Sequence, residues 1–333
     1  GVFSNANVAS GKTVTITPSY SGADVNNYSV TDQSTTTADI SAKALTATAS
    51  ASNKTYNATN SASVTLTLSG LVGSETLGST NTSTFNNKNV GSNKTVTVNS
   101  ITLSDSSGLA ANYSISTGQT TTANITAKSL TVSGITASNK TYNGNAVATL
   151  NTGSVAYSGL VDGDTFNGTY TGAFSDKNVG TGKTVTITPS YSGADVSNYS
   201  ITNHADVTAN ITAKSLTVSG ITASDKTYDG STSATLTGTA VYSGLVSGDT
   251  FNGTYTGAFS DKNVGTGKTV NITPSYSGAD VNNYSVTDQS STTADISAKA
   301  LTATASASNK TYDGGTTAST TLTFTGLVGS ETL

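Results

Sequence analysis

The chain has 333 residues, of which 34% are hydrophobic and 10% charged, a net charge of −4, and neither cysteine nor arginine. A mildly acidic chain without arginine has no footprint for nucleic acid and no basic face for anionic lipid. Lack of cysteine excludes disulfides and thiolate-bound metal, and no apolar run reaches the ~18 residues of a membrane-spanning helix.

Taken in order, the chain is periodic. The tyrosine of an Asn-Tyr-Ser motif stands at Tyr28, Tyr113, Tyr199 and Tyr284, and the lysine that opens each unit at Lys43, Lys128, Lys214 and Lys299. The spacing divides the chain into a C-terminal part of a unit at 1–42, full units at 43–127, 128–213 and 214–298, and an N-terminal part at 299–333. The partial units predict a window of a longer array. A period of about 85 residues predicts beads large enough for their own cores, not a solenoid.

Within 214–298, Leu216, Val218 and Ile221 alternate with polar residues as a strand does. Lys226-Thr227-Tyr228-Asp229-Gly230 predicts a turn. Strands are then expected around Ala234 and Leu236, Val241 to Leu245, and Phe251 to Phe259. Gly265-Thr266-Gly267 predicts another turn, and Thr269 to Thr273 a strand that Pro274 ends. Tyr284/Val286 and Ala294/Ile296 close a unit of seven or eight strands, and no helical stripe occurs. The fold class expected is all-β.

The spacing Asp195/Tyr199/Ile201, repeated at Asp24/Tyr28/Val30 and Asp280/Tyr284/Val286, matches the tyrosine corner of immunoglobulin-like sandwiches, where the hydroxyl returns to nearby backbone. Unit 43–127 has Leu109 in place of the aspartate. An immunoglobulin-like β-sandwich is the first expectation and a β-grasp-like bead the alternative. The joint Ile211-Thr212-Ala213-Lys214-Ser215-Leu216 has no Gly or Pro. It therefore predicts strand running into strand and an extended, stiff rod.

No residue set points to catalysis. Gly180–Thr184 and Gly265–Thr269 look like the tail of a phosphate-binding loop, but lack its first glycine and lead into strands, which predicts hairpin turns. His204 is the only histidine and makes neither a zinc site nor a triad alone. Asp162, Asp164 and Asp249 are the calcium candidates. Calcium needs six to eight oxygens and the acids are scattered, so turn residues and no cofactor are expected. Thr184/Thr186/Thr188 suit a wet strand face, and Asn-x-Ser/Thr triplets such as Asn198-Tyr199-Ser200 follow from composition. Tyr142, Tyr228 and Tyr312 are expected at core edges with hydroxyls on backbone.

The series Ala-Lys-Ser-Leu-Thr-Val, Lys-Thr-Tyr-Asp-Gly, Gly-Leu-Val-x-Gly-Asp, Phe-Ser-Asp-Lys-Asn-Val-Gly-Thr-Gly-Lys-Thr-Val and Ser-Gly-Ala-Asp-x-x-Asn-Tyr resembles the YDG-type repeats, grouped with the mostly bacterial Ig-like (MBG) repeats. The resemblance covers the whole chain. Its Asp-Gly becomes Asn143-Gly144 in one unit and Asn57-Ala58, without the glycine, in another. The resemblance implies shafts of filamentous-haemagglutinin-like adhesins exported by two-partner secretion. The implied place is the bacterial cell surface, outer-membrane-associated, with a structural role in attachment and biofilm and no catalytic residues. The expected partners are other repeats of the same chain, with neighbouring fibres or surface polysaccharide as the alternative.

Overall fold

In the computed structural model, which describes residues 1–333, every regular element longer than three residues is a strand; the only helical turns are 3₁₀ turns at Val25–Asn27, Ala110–Asn112, Val196–Asn198 and Val281–Asn283. With no helix to lay across a sheet, the β-grasp alternative drops out. The chain forms two compact units. The first comprises Gly1–Gly134, Ser154–Thr169 and Pro189–His204; the second comprises Ile135–Gly153, Tyr170–Thr188 and Ala205–Leu333.

The second unit contains the whole repeat 214–298. Its strands are β1 (Lys214–Ser219), β2 (Thr222–Ala223), β3 (Lys226–Thr227), β4 (Ser233–Ala234), β5 (Leu236–Thr237), β6 (Val241–Ser243), β7 (Asn252–Phe259), β8 (Gly265–Ser277), β9 (Tyr284–Thr287) and β10 (Ser291–Ser297). One sheet has the order β3-β10-β8-β7-β4 and the other β6-β1-β9, with β2-β5 a short extra pair. Inward residues at every second position join the two sheets: Val218 and Ile221 pack with Ile272, Tyr242, Tyr255 and Val286. This is a two-layer sandwich. Its strand order differs from the ABED/CFG division of an immunoglobulin constant domain, because the first strand lies parallel to the ninth.

Two local expectations need correction. Pro274 does not end its strand: it pairs with Tyr255 inside β8, which runs on to Ser277. The pairing of β8 with β10 stops at Asn271, and the Ile272 N–H still reaches the Ser290 carbonyl at 3.0 Å; no partner is paired on that edge at Pro274, so its missing N–H costs no ladder bond. Gly265–Thr269 is not a hairpin turn but a bulge within β8, where the register with β10 shifts between Gly265 and Lys268. Gly267 takes φ +59° there, and its N–H donates to Asp295 Oδ1 at 2.7 Å.

In the first unit, repeat 43–127 has the equivalent five-stranded order, built on Leu77–Phe85, Gly91–Asp105 and Thr120–Thr126. Its second sheet comprises Tyr113–Ile115, Lys43–Ala51 and Val64–Ser69. Residues 1–42 contribute a three-stranded sheet to that unit, and 302–325 a hairpin to the other.

Candidate functional site: the joints between repeats

Where one repeat meets the next, the last strand Val207–Thr212 and the first strand Lys214–Ser219 are separated by Ala213 alone. Ile211 and Leu216 lie five positions apart across that connection. Both are buried in one cluster, with Tyr142, Phe174, Val185 and Ala209 from one repeat and Phe251 and Tyr284 from the next. The first unit repeats the arrangement, with Tyr56, Phe85, Val96 and Ile125 packed against Leu130, Phe166 and Tyr199. The apolar packing therefore runs across the joints.

A polar cluster caps each shared core. At the joint of 128–213 with 214–298, Tyr142 donates its hydroxyl to Asp249, at 3.0 Å from Oδ1 and 2.8 Å from Oδ2. Lys177 Nζ lies 3.3 Å from Asp249 Oδ1 and 2.8 Å from Asp280 Oδ1. Tyr284 donates to Asp249 Oδ2 at 2.5 Å and accepts the Val246 N–H at 2.9 Å. Thr250 N–H donates to Asp280 Oδ2 at 2.9 Å. The Tyr142 and Tyr284 rings meet edge to face at 5.6 Å.

The joint of 43–127 with 128–213 uses the same set. Tyr56 donates to Asp164 Oδ1 at 3.0 Å, and Tyr199 to Asp164 Oδ2 at 2.5 Å. Lys88 Nζ sits 3.4 Å from Asp164 and 3.0 Å from Asp195. Asp164 is 2% exposed, Lys88 40%. The Lys88 stem thus reaches inward while the ammonium keeps contact with water. Buried asparagines finish each seam: Val90 N–H donates to Asn198 Oδ1, and Val179 N–H to Asn283 Oδ1, both at 2.9 Å.

The electrostatics follow from these contacts. The Thr165 N–H, then the Lys88 ammonium, hold the Asp195 carboxyl below its ordinary 3.8; Lys177, then the Thr250 N–H, do so for Asp280. Lys88 and Lys177 are raised, chiefly by hydrogen bonds to Asp195 and Asp280 respectively. Burial, then Asp164 or Asp249, pushes Tyr199 and Tyr284 up to about 12. The cluster is two carboxylates around a lysine, closed by two neutral phenols.

The residues singled out from sequence fall on this seam in part. Lys43, Lys128 and Lys214 stand opposite Tyr113, Tyr199 and Tyr284 in parallel register. The tyrosines are not corners in the expected sense. Tyr199 binds Val161 and Asp164, 38 and 35 residues upstream, because the chain brings the Gly-Leu-Val-x-Gly-Asp loop, not adjacent backbone, under the ring. Tyr113 likewise accepts the Val72 N–H and donates to Glu75. Tyr28 is 75% exposed, since residues 1–42 contain neither that loop nor the lysine-led strand. Tyr142 and Tyr228 reach carboxylates, Asp249 and Glu331, rather than backbone, while Tyr312 is 94% exposed.

Lys299 is exposed at the pocket that Tyr228, Val264, Val328 and Glu331 also line. Of the calcium candidates, Asp164 and Asp249 serve the joints and Asp162 is exposed; no three His, Cys, Asp or Glu side chains gather in a group that could hold a metal ion. Asn198 of the Asn-Tyr-Ser triplet is buried in the seam, and His204 is half-buried.

Sequence reasoning missed Lys88, Lys177, Asn198 and Asn283 as joint residues. Their signal was the recurrence of Lys-Asn-Val and x-Asn-Tyr at fixed offsets. The glycine of the Tyr-Asp-Gly turn also has its reason here: a Cβ on Gly144 would lie 2.8 Å from Val246 Cγ1, and one on Gly230 2.9 Å from Val328 Cγ1. Ala58 holds the same left-handed turn at φ +61°.

No curated protein and no solved structure matches the chain. A family model described as the YDG domain matches it three times in tandem, at residues 41–123, 126–209 and 212–294. On that match, and with each copy closing on the next through the tyrosine of its Tyr-Asp-Gly motif or that motif's equivalent, the chain belongs to the YDG domain family.

Proposed function

We propose that this chain is a length of the shaft of a large secreted bacterial surface adhesin, a spacer that carries a distal binding region away from the cell for attachment and biofilm formation. The observation that carries this reading is the joint itself. The most elaborate polar constellation in each repeat, Tyr142/Lys177/Asp249/Asp280/Tyr284 in one case, is spent on fixing one repeat to the next. A one-residue connection and a core shared across it suit resistance to bending. The chain acts outside the cell and not as an enzyme, a reading supported by seam carboxylates and phenols that bond to one another. Its partners are further repeats, and it needs no metal, because Lys88 and Lys177 supply the cation that the paired aspartates require.

Small-angle scattering of the 333-residue chain tests the reading. A maximum dimension near the summed repeat lengths supports a spacer, whereas a collapsed, hinged distribution removes it. Saturable binding to a glycan array, or aggregation of beads coated with the chain, would favour repeats that themselves bind glycan or associate between fibres.

A further inference from the structure

Asn143 and Gly144 occupy the turn that follows Tyr142, against Val246 of the next repeat. The equivalent residues elsewhere are Asp229-Gly230, Asp313-Gly314 and Asn57-Ala58. Where the turn has aspartate, a lysine pairs with it: Lys226 Nζ lies 2.8 Å from Asp229 and Lys310 Nζ 2.9 Å from Asp313. Lys140 sits in the same place and makes the bonds that Lys226 makes beside its aspartate, to two carbonyls and a side-chain oxygen, here those of Asn145 and Val147 and Asn145 Oδ1, but it has no carboxylate at 143. Asn143 is exposed. Gly144, at φ +81°, has no Cβ to crowd its nitrogen, and its N–H donates to no protein acceptor. The Asn145 N–H points at Asn143 Oδ1 from 3.4 Å.

We propose that Asn143 is a spontaneous modification site, deamidated by the Gly144 nitrogen, and that the reaction acts on the joint between repeats 128–213 and 214–298. The Gly144 nitrogen attacks Asn143 Cγ and a C–N bond forms. The side-chain nitrogen leaves as ammonia, taking the proton of the Gly144 amide. Water then opens the cyclic imide at either carbonyl. Opening at one gives aspartate, which restores Asp-Gly with Lys140 beside it as its counter-ion. Opening at the other gives isoaspartate, which lengthens the main chain by one methylene next to Tyr142. Tyr142 is held by its N–H on the Thr212 carbonyl at 2.8 Å and by its hydroxyl on Asp249, so the added methylene loosens the joint from within.

The chain carries its own comparators. Asn167-Gly168 and Asn252-Gly253 lie in strands Asn167–Phe174 and Asn252–Phe259, where the ladder has to open before the glycine nitrogen can reach the side-chain carbonyl. At Asn57-Ala58 a methyl group hinders the attack.

The test is peptide mapping of the intact chain aged in mildly alkaline buffer, with aspartate and isoaspartate separated. Conversion at Asn143 is expected about tenfold or more faster than at Asn167 and Asn252; equal rates, or an unmodified Asn143, overturn the site. The effect on the joint is read by amide exchange. Chain enriched in isoaspartate is expected to lose protection at the Tyr142 N–H, while the Asn143→Asp variant keeps it. Retained protection in the isoaspartate form overturns the link to the joint.

Discussion

Lys88 Nζ lies 3.0 Å from Asp195 Oδ1 across a joint, and the two positions are replaced together at the preceding joint. There the seam is recognisable from the Val8 N–H, which donates to Asn112 Oδ1 at 2.8 Å as Val90 does to Asn198. Ala6 stands where Lys88 stands in its repeat, and Leu109 where Asp195 stands. Cation and second carboxylate are thus lost as a pair. An unpaired Asp195 beside Asp164 would leave two carboxylates facing one another without a counter-ion. The expected outcome of a double-mutant cycle follows. Lys88→Ala and Asp195→Leu each lower the thermal midpoint, and the double variant lies closer to wild type than the sum of the singles. Strict additivity would refute the coupling.

The hydroxyls of the seam give a second expectation. Tyr142→Phe removes a hydrogen bond to a carboxylate and costs about 1.5–3 kcal/mol; Tyr199→Phe, which also orphans the Val161 N–H, costs at least as much. Tyr199→Ala adds a cavity between Tyr56 and Phe166 and costs about 3–5 kcal/mol. Denaturant unfolding monitored by tyrosine fluorescence checks all three, and a neutral Tyr199→Phe would place that hydroxyl in solvent.

Most of the fold was legible before the structure, and for one reason. Val270 and Ile272 are buried while Thr269 and Thr273 are exposed, so period-two patterning reported both the strand and its faces. The stretch from Ile211 to Leu216, without Gly or Pro, likewise announced strand following strand, and Ala213 alone separates the two. The seam chemistry was not legible, because Lys88, Asp164 and Asp195 come from three separate loops of two repeats. Those loops meet only in the assembled joint, where Tyr56 bonds Asp164 and the Val90 N–H bonds Asn198. Strand order was hidden for the same cause: alternation records which face a residue takes, not which strand lies beside it.

Acid and alkali should both loosen the seams. The pKa values of Asp195 and Asp280 are depressed in the fold, so their contribution is complete above the ordinary carboxylate value of 3.8 and is lost as pH falls through the folded values. Tyr199 and Tyr284 are raised from 10.0 to about 12. The fold favours their neutral form, so their contribution is complete below pH 10 and is lost between there and about 12. Lys88 and Lys177, raised from 10.5, act in the same direction at high pH. Thermal midpoints measured across pH are expected to form a plateau bounded by these two limits, and a midpoint that peaks sharply near neutrality would contradict it.

The turn after the joint tyrosine separates strain from space. Ala58 pays for a left-handed conformation at φ +61°, so Ala58→Gly should stabilise its repeat by about 1 kcal/mol. Gly144→Ala should do the opposite. The new methyl would be forced to φ +81° and to within 2.8 Å of Val246 Cγ1, a cost of about 1–3 kcal/mol. Midpoint shifts of opposite sign in the two variants are the expected result.

The connection at Ala213 allows the most direct test of the joint. Val207–Thr212 and Lys214–Ser219 are strands of successive repeats, and Ile211 and Leu216, at either end of the joint, are buried in one cluster. Inserting Gly-Gly-Ser after Ala213 does two things at once. It adds three residues of flexible chain, and it lets Leu216, Phe251 and Tyr284 move away from Tyr142, Phe174 and Ile211. Were the repeats independent beads on a short string, the insertion would change dimensions and leave the melting midpoint alone. A core that crosses the joint makes the two changes inseparable. Scattering should show a shorter mean end-to-end distance with a broader distribution, and the midpoint should fall. The same insertion placed at the exposed Thr239, within the loop that follows Leu236–Thr237, serves as the control, because it lengthens the chain without touching the joint. If the Ala213 insertion shortens the molecule but leaves the midpoint at the control value, Ile211 and Leu216 do not act together, and the shared core has no mechanical role.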